Sequence, residues 1–306
     1  ATNYSDINPI IEVFKTDFID QIIGMDATCP EVIYEKIFNL TAQKLSFEKK
    51  WGKEALIRIS AAIDIACWDL IGKASNFPLY KLFGGYRNKV PCYVTCAYYR
   101  DGKDNKELKD EIQMLLGQGH QGFKGKVGGL SLKEDIDRMN IVRDVIGDEK
   151  SLMIDVNRAW DLKTAIEAAN LLKPLNPFWL EEPVRWSDDR RELKLLSQKT
   201  DIPISGGESE LTIYGCRAML EEQAIQILQF DCTMFGGFTA GKKLSALCEL
   251  NHVDIAPHHD CFIHAHIVAG SPSGLIVESF TDPERDPLQA ELFTNPPKIE
   301  NGWLYL

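Results

Sequence analysis

Ionisable side chains recur along the second part of the chain at intervals of about one strand and one helix. They are Lys124, Lys126, Asp155, Glu181, Glu208, Asp231, His258 and Glu278. From Lys126 onward the successive intervals are 29, 26, 27, 23, 27 and 20 residues. Each predicted strand after the first ends in one of these residues, or in the pair Lys124 and Lys126, and most of them follow a short apolar run that is typical of a buried strand. Because the carboxyl ends of parallel barrel strands meet at one mouth, we expect these side chains to converge there.

Three of these residues are carboxylates at the ends of consecutive predicted strands: Asp155, Glu181 and Glu208. Like charges that lie close together repel strongly unless a cation lies among them. An all-oxygen set without His or Cys favours Mg²⁺ over Zn²⁺. Glu181 and Glu182 are adjacent, and strand alternation lets only one of them point inward. The residues alone leave open which of the two is the ligand.

Two groups of bases are predicted on the other side of this mouth. Lys124 and Lys126 point to the same face of a strand, so the crowding of two ammonium groups predicts a lowered pKa and a neutral base at Lys126. Asp231 and His258 end adjacent predicted strands, where the carboxylate can orient the imidazole. Glu278 is expected to donate a hydrogen bond to a developing oxyanion if burial keeps it protonated.

A lysine and a His–Asp pair around a bound Mg²⁺ indicate the removal of a proton next to a carboxylate. The metal binds the substrate carboxylate, one base removes the α-proton, and the metal stabilises the resulting ene-diolate. A Ser or Cys hydrolase is disfavoured, because the sequence has no Gly-x-Ser-x-Gly segment and no cysteine takes a place in this series of strand-end residues.

The elements that must position these residues are a parallel barrel and the helices before it. Helix-spaced apolar residues run from Lys53 to Lys73, and helical patterns also cover 8–23 and 31–45. After them, strands alternate with helices, with seven strand–helix units following the first strand. Ser131 and Glu134 form a capping box that opens one of the helices. The pattern predicts an α/β fold of the TIM-barrel type.

The composition fits a globular protein of one large domain or two ordinary ones. The 306 residues are 44% hydrophobic and 26% charged, which excludes a disordered chain, and no apolar run is long enough for a membrane span. A net charge of −11 argues against a nucleic-acid partner. The eight cysteines include no Cys-x-x-Cys pair, which predicts reduced thiols in the cytoplasm. The sequence opens with neither a secretory signal nor Met, so we expect an amino-terminal piece to precede Ala1.

The same residues resemble the mandelate racemase subgroup of the enolase superfamily, the mandelate racemase/muconate lactonizing enzyme family. The resemblance runs from about residue 50 to 280 and rests on the helical segment 61–70 and on Lys124-Gly125-Lys126, Asp155-Val156-Asn157, Glu181-Glu182-Pro183, Gly207-Glu208, Asp231 with Gly236-Gly237, His258 and Glu278. It implies a modified TIM barrel, (β/α)7β, with an α+β capping domain, and a symmetric homo-oligomer. The implied domains are 1–88, the helical part of the capping domain; 89–285, the barrel; and 286–306, a segment that returns to the capping domain.

The resemblance also implies roles for individual residues. It selects Glu181, supported by Glu182, as the ligand that binds one Mg²⁺ per active site together with Asp155 and Glu208. The catalytic residues would be Lys126, His258, Asp231 and Glu278, and the substrate-binding residues would be Lys124 and Asn157. Lys126 would act on one face of the α-carbon and His258 on the other. Glu278 would be the electrophilic partner of the substrate carboxylate.

Two outcomes share the same first step in this subgroup. If His258 protonates a departing β-hydroxyl, an acid sugar is dehydrated to a 2-keto-3-deoxy acid, and this lyase activity is our first expectation. If His258 returns a proton to the α-carbon, the enzyme is a racemase or epimerase, and a cycloisomerase would share the two-base site. A barrel that binds a ligand without catalysis is a minor alternative.

Overall fold

Helices form the first part of the chain. The computed structural model describes residues 8–281 and 292–306, and its first helices are α1 (Asn8–Phe14), α2 (Pro30–Leu40), α3 (Lys44–Glu48), α4 (Lys53–Ser75) and α5 (Leu79–Leu82). The apolar stripe predicted over 53–73 is α4, whose Leu56 and Ile59 are buried. Turns interrupt the helical patterns over 8–23 and 31–45, so the helices predicted there are too long.

Eight parallel strands follow. They are β1 (Lys89–Cys96), β2 (Gly122–Lys126), β3 (Ser151–Asp155), β4 (Trp179–Glu181), β5 (Ile204–Gly206), β6 (Ile227–Leu228), β7 (Asp254–Ile255) and β8 (Val277–Ser279). Neighbours pair in chain order from β1 to β7, and β8 pairs in parallel with β1. Ile255 forms a parallel bridge with Gly274, just before β8, which closes the strands into a barrel.

One helix lies between each strand and the next, so the seven strand–helix units include the first strand, and six of them follow β1 instead of the seven expected. These helices are α6 (Asn105–Gly117), α7 (Leu132–Ile146), α8 (Leu162–Leu172), α9 (Asp189–Ser197), α10 (Ile213–Glu221), α11 (Gly237–Leu250) and α12 (Cys261–Gly270). The predicted capping box opens α7: Ser131 Oγ accepts from the Glu134 N–H, and the Glu134 carboxylate accepts from the Ser131 N–H. The α/β fold of the modified TIM-barrel type is therefore confirmed.

Apolar side chains separate the barrel from its helices and also fill its interior. The largest buried cluster includes Phe123, Leu152 and Leu180. A second cluster contains Met153 and Trp179, which alternate with those residues along β3 and β4. Asp155 and Glu181 lie two residues beyond Met153 and Trp179, so strand alternation continues the interior face to these two carboxylates.

The amino-terminal helices are attached to the barrel at the start of α11. Asp64 Oδ1 on α4 accepts a 3.0 Å hydrogen bond from the Thr239 N–H, and Trp68 Nε1 donates to Thr239 Oγ1 at 3.0 Å. Gly237 has a φ of +67°, and a Cβ there would lie 2.2 Å from Asp64 Oδ1. Glycine is therefore required at this close approach of the two elements.

The carboxy-terminal residues form a hairpin of β9 (Lys298–Glu300) and β10 (Trp303–Tyr305). β10 pairs antiparallel with the first residues of β1, and Leu304 shares a buried cluster with Tyr80 of α5. The segment predicted to return to the capping domain thus pairs with a barrel strand and shares a buried cluster with an amino-terminal helix, although its residues 286–291 lie outside the described residues. The predicted domain division stays a prediction. None of the described helices is long and apolar enough to cross a membrane.

Candidate active site

The predicted site residues meet at the carboxyl end of the barrel, but they are positioned in two ways. Strands β2, β3, β4 and β8 themselves contain Lys124, Lys126, Asp155, Glu181 and Glu278. The loops after β5, β6 and β7 contain Glu208, Asp231 and His258. The prediction that each residue ends its strand is wrong for these three, which lie beyond the last hydrogen-bonded residue, and for Glu278, which lies inside β8.

Lys124 is enclosed by carboxylates. Its Nζ lies 2.6 Å from Glu181 Oε1, 2.9 Å from Glu278 Oε1 and 3.5 Å from Asp155 Oδ2, and the residue is fully buried. Burial opposes the charge, but the Glu181 and Glu278 carboxylates outweigh it and raise the pKa of Lys124 well above its usual value. Its charge is committed to protein groups, and the contact with a substrate carboxylate stays a prediction.

Lys126 lies nearer the mouth and is paired with Asp155. Its Nζ contacts Asp155 Oδ2 and donates to Asn157 Oδ1 at 3.0 Å. Burial has the largest single effect and lowers the pKa of Lys126, and Lys124 lowers it further, but the Asp155, Glu181 and Glu278 carboxylates together outweigh both and raise it above its usual value. Lys124 does lower this pKa, as predicted, but the expected neutral base at Lys126 is wrong for this arrangement, because the carboxylates outweigh the second ammonium group.

Glu181 and Glu182 are both buried, and they serve different parts of the site. Glu181 accepts from Lys124, from Trp179 Nε1 at 2.9 Å and from Gln229 Nε2 at 2.7 Å. Burial and the Asp155 charge raise the pKa of Glu181 to about 8. The structure thus places Glu181 on the interior face beside Asp155, and its role as a metal ligand stays a prediction.

Glu182 holds the loop after β5. Its carboxylate accepts from the Gly207 N–H at 3.3 Å and from Ser209 Oγ at 3.4 Å, and Arg158 Nε lies 2.9 Å from Oε2. These contacts bind both neighbours of Glu208 in the chain. Burial, and then the nearby Glu208 charge, raise the pKa of Glu182 to about 8.

Glu208 has two buried carboxylate oxygens that no hydrogen-bond donor in the described residues satisfies. The nearest cationic atoms are His258 Nε2, 3.6 Å from Oε2, and Arg158 Nη2, 3.9 Å from Oε1. A buried carboxylate without donors is costly and calls for a cation or ordered water. The chemistry of the set therefore fits a hard divalent ion, which prefers carboxylate oxygens.

The carboxylates Asp155, Glu181 and Glu208 do not have the geometry of a metal-coordination site in this structure. Within residues 8–281 and 292–306, no three His, Cys, Asp or Glu side chains together have the geometry of one. Asp155 and Glu181 instead point at the lysines. The donor types and the unsatisfied Glu208 fit a bound cation, and the ion pairs with the lysines are the contacts that metal binding would have to replace.

His258 and Asp231 form a hydrogen-bonded pair across the loops after β7 and β6. His258 Nδ1 lies 3.1 Å from Asp231 Oδ2, and Asp231 Oδ1 accepts from the Thr233 N–H at 2.8 Å. Burial opposes charge on the imidazole, but Glu208 and the bond to Asp231 raise the pKa of His258 to about 10. The structure thus brings the predicted dyad together and leaves Nε2 facing Glu208.

Glu278 is ionised rather than protonated. Its Oε1 accepts from Thr95 Oγ1 and lies 2.9 Å from Lys124 Nζ, and its Oε2 accepts from the His259 N–H at 2.8 Å. Burial would raise the pKa of Glu278, but Lys124 and His258 lower it well below its usual range. The expectation that burial keeps Glu278 protonated is wrong, because three donors or cations surround it.

Cys96 is the last residue of β1, a strand that carries none of the predicted site residues. Its thiol is buried and directed at the Lys124 carbonyl oxygen, and burial raises its pKa. A thiol held in its neutral form is a poor nucleophile, so the argument against a cysteine hydrolase still holds.

Sequence reasoning missed several residues that support the site. Gln229 and Trp179 donate to Glu181, and His264 of α12 contacts the loop that carries Asp231. Gln229 was detectable, because a polar residue within a buried apolar run usually has a specific partner. His264 gave no such signal, since it lies on a helix remote in sequence from the residues that it contacts.

Comparison with known proteins identifies the family. The chain matches the family described as "Enolase C-terminal domain-like" over residues 107–306, and the mandelate racemase/muconate lactonizing enzyme N-terminal domain over residues 10–84. Arabinonate dehydratase of Saccharolobus solfataricus is 27% identical over 290 residues, which cover 92% of this chain and 74% of that protein. The 3,6-anhydro-alpha-L-galactonate cycloisomerase of Streptomyces coelicolor is 34% identical over 250 residues, 80% of this chain and 66% of that protein. Other relatives are named as epimerases and racemases.

Solved structures agree with these matches. L-talarate dehydratase from Polaromonas sp. JS666, crystallised with Mg and L-glucarate, superposes with a TM-score of 0.87 at 27% identity, covering 100% of this chain and 81% of that one. The relatives thus include acid-sugar dehydratases and isomerases, and these identities do not separate the two reactions. The chain belongs to the mandelate racemase/muconate lactonizing enzyme family of the enolase superfamily.

Proposed function

We propose that this protein is a Mg²⁺-dependent enzyme that removes the α-proton of a carboxylate substrate, and that it dehydrates an acid sugar to a 2-keto-3-deoxy acid. Asp155, Glu181 and Glu208 would hold one Mg²⁺. When bound, the ion would polarise the substrate carboxylate and lower the energy of the charge that develops on it. Because Lys126 is paired with Asp155, the proposal requires Asp155 to leave Lys126 on becoming a ligand.

The observation that carries the proposal is the position of the two bases relative to the carboxylates. Lys126 Nζ contacts Asp155 from the side of β2, and His258 Nε2 lies 3.6 Å from Glu208 on the side of β5 and β7. Each base therefore borders a different member of the same proposed ligand set. A substrate carboxylate held there would present its α-carbon between two groups able to move protons.

The steps follow from these positions. Lys126, as a neutral amine, takes the α-proton, and the electrons of the C–H bond move into an ene-diolate. His258, oriented through Nδ1 by Asp231, gives a proton to the β-hydroxyl, which leaves as water and yields an enol. The enol then tautomerises to the 2-keto-3-deoxy acid, so atoms and charge balance without an oxidant or reductant.

Isomerisation is the second candidate, and the same observation supports it. If His258 returns a proton to the α-carbon on the face opposite Lys126, the configuration is inverted and no water is lost. The epimerases and cycloisomerases among the relatives support this alternative. Only the fate of the ene-diolate distinguishes the two reactions.

The experiment is incubation of the Mg²⁺-loaded protein in D₂O with pools of aldonic and aldaric acids, followed by proton NMR. A new 2-keto-3-deoxy product supports dehydration, whereas deuterium at the α-carbon without loss of water supports isomerisation. Lys126→Ala should abolish either signal. The matched control is Lys133→Ala, since Lys133 is a largely exposed lysine on α7 that pairs with Asp137. Mg²⁺ binding without turnover or exchange in any pool would contradict the acid-sugar assignment.

A further inference from the structure

His264 connects the two loops that carry the Asp231–His258 pair. The residue lies on α12 and is fully buried. Its Nε2 accepts from the Cys232 N–H at 3.0 Å, directly after Asp231, and its Nδ1 lies 3.2 Å from the His259 carbonyl oxygen, directly after His258. One imidazole therefore binds the chain neighbour of each member of the pair.

The two contacts define the tautomer of His264. A backbone carbonyl accepts only, so Nδ1 must carry a proton, and Nε2 must be unprotonated to accept from the Cys232 N–H. Asp231 Oδ1, 3.4 Å from Nε2, already accepts from the Thr233 N–H and hydroxyl. His264 is thus a neutral imidazole that acts at once as donor and acceptor.

The turn that His264 contacts has a strained backbone. His259 has a φ of +60° and Asp260 a φ of +20°, although neither is glycine. Such conformations persist only where surrounding contacts hold them, and they are frequent at functional sites. The bond from His264 to the His259 carbonyl is one such contact, and it acts one residue after His258.

We propose that His264 is a positioning residue that sets the distance and orientation between Asp231 and His258 by joining the loops after β6 and β7. The kinetic part of this inference rests on the proposed function, because it assigns His264 to the proton transfer made by His258. His264 does not contact Lys126, so α-proton removal on the Lys126 side should not depend on it.

The test compares substitutions that keep different halves of the imidazole. His264→Gln retains an acceptor near the position of Nε2, His264→Asn retains a donor near that of Nδ1, and His264→Ala retains neither. We expect the His258-dependent step to fall about 10- to 100-fold in His264→Ala, the range known for groups that orient metal-binding histidines. The two amide variants should lose less. Exchange of the α-proton by Lys126 should stay within about twofold of wild type.

The matched control is His266→Gln. His266 lies two residues along the same helix, and its ring packs edge-on against Phe238, 6.5 Å between ring centroids, instead of contacting the dyad loops. It should leave both steps unchanged. His264→Ala that keeps the His258-dependent step within twofold, or that lowers both steps equally while folded, would overturn the inference.

A readout without substrate separates this inference from the proposed function. In ¹⁵N-histidine-labelled protein, the ring signals of His264 are assigned as those that are present in wild type and absent in His264→Gln. Their chemical shifts should show a neutral imidazole that is protonated at Nδ1. The Cys232 amide should be protected from hydrogen exchange in wild type and lose protection in His264→Ala. If wild type turns over no acid sugar but both signals are as expected, the proposed function fails and the linkage stands. An Nε2-protonated ring, or an unprotected Cys232 amide, refutes the linkage whatever the activity.

Discussion

The two sides of the site differ in what holds them. The strand side consists of Lys124, Lys126, Asp155 and Glu181. These residues belong to β2, β3 and β4, whose backbones pair directly with their neighbours. The loop side consists of Glu208, Asp231 and His258, which lie on loops beyond β5, β6 and β7. These three strands are only two or three residues long. Main-chain pairing fixes the backbone of the first group directly, whereas the backbone of the second group is held by contacts from other side chains.

The two sides also differ in the groups that face their carboxylates. On the strand side, each carboxylate faces a lysine, and the lysine ammonium groups hold the pKa of Asp155 at about 2 despite its burial. On the loop side, the Glu208 oxygens lack donors, and Glu182, Arg158 and His264 hold the backbone around the site residues. Function on this side should therefore be sensitive to substitutions outside the site itself.

The largest effect should come from the strand side. Lys126→Ala removes the only base proposed there, so α-proton exchange in D₂O should fall by about 10⁴-fold, the upper end for a general base. Proton NMR of the α-position measures this rate. Exchange that persists in Lys126→Ala at more than a tenth of the wild-type rate would show that the strand side is not the site of proton removal.

In His258→Asn, the step assigned to the loop side should slow while the step assigned to the strand side continues. Loss of the β-hydroxyl should slow by about 10²- to 10³-fold, because the acid is missing, while α-proton exchange by Lys126 continues. Simultaneous measurement of product formation and deuterium incorporation gives both rates. Equal loss of the two rates would mean that the two sides do not act on different steps.

A smaller effect is expected where the amino-terminal helices support the loop after β6. Gly237→Ala places a methyl group against Asp64 at the start of α11, and we expect a loss of about 2–4 kcal/mol in the free energy of unfolding from overpacking and backbone strain. Urea unfolding followed by circular dichroism measures it. Gly147→Ala is the control, because its φ of +70° is similar but no atom lies within 4 Å of the added Cβ. Equal losses would assign the cost to backbone strain alone.

The smallest effect concerns the pH dependence of that contact. Burial raises the pKa of Asp64 to about 6, although hydrogen bonds from Thr239 lower it. The folded state therefore binds a proton on the Asp64 carboxyl more tightly than the unfolded state does. Its contribution to stability is complete below pH 3.8 and is lost as pH rises through about 6.

Wild type should therefore lose stability relative to Asp64→Asn by on the order of 1–3 kcal/mol between about pH 4 and pH 7. Urea unfolding of both proteins at several pH values gives the difference, and contributions from other groups cancel in it. A difference that is constant with pH would mean that Asp64 titrates normally in the folded protein.

The barrel and the strand side of the site could be predicted from the sequence because both depend on periodic rules. The regular spacing of apolar runs and polar strand ends indicated one βα unit after another, and alternation places Lys124 and Lys126 on one face. The loop side was predicted by residue type but not by position. Glu208, Asp231 and His258 were assigned to strand ends that the backbone reaches two or three residues earlier.

The sequence by itself therefore determined which residue types reach the mouth of the barrel and in what order around it, because the order of parallel strands follows from the local pattern, and side-chain direction follows from it for the residues within strands. Only the tertiary structure decided their charge states and their supports. Lys126 is held charged and Glu278 ionised because electrostatic interaction depends on distances of a few ångströms between residues far apart in the chain. His264 reaches the dyad for the same reason: its partners are brought together by the closure of the barrel.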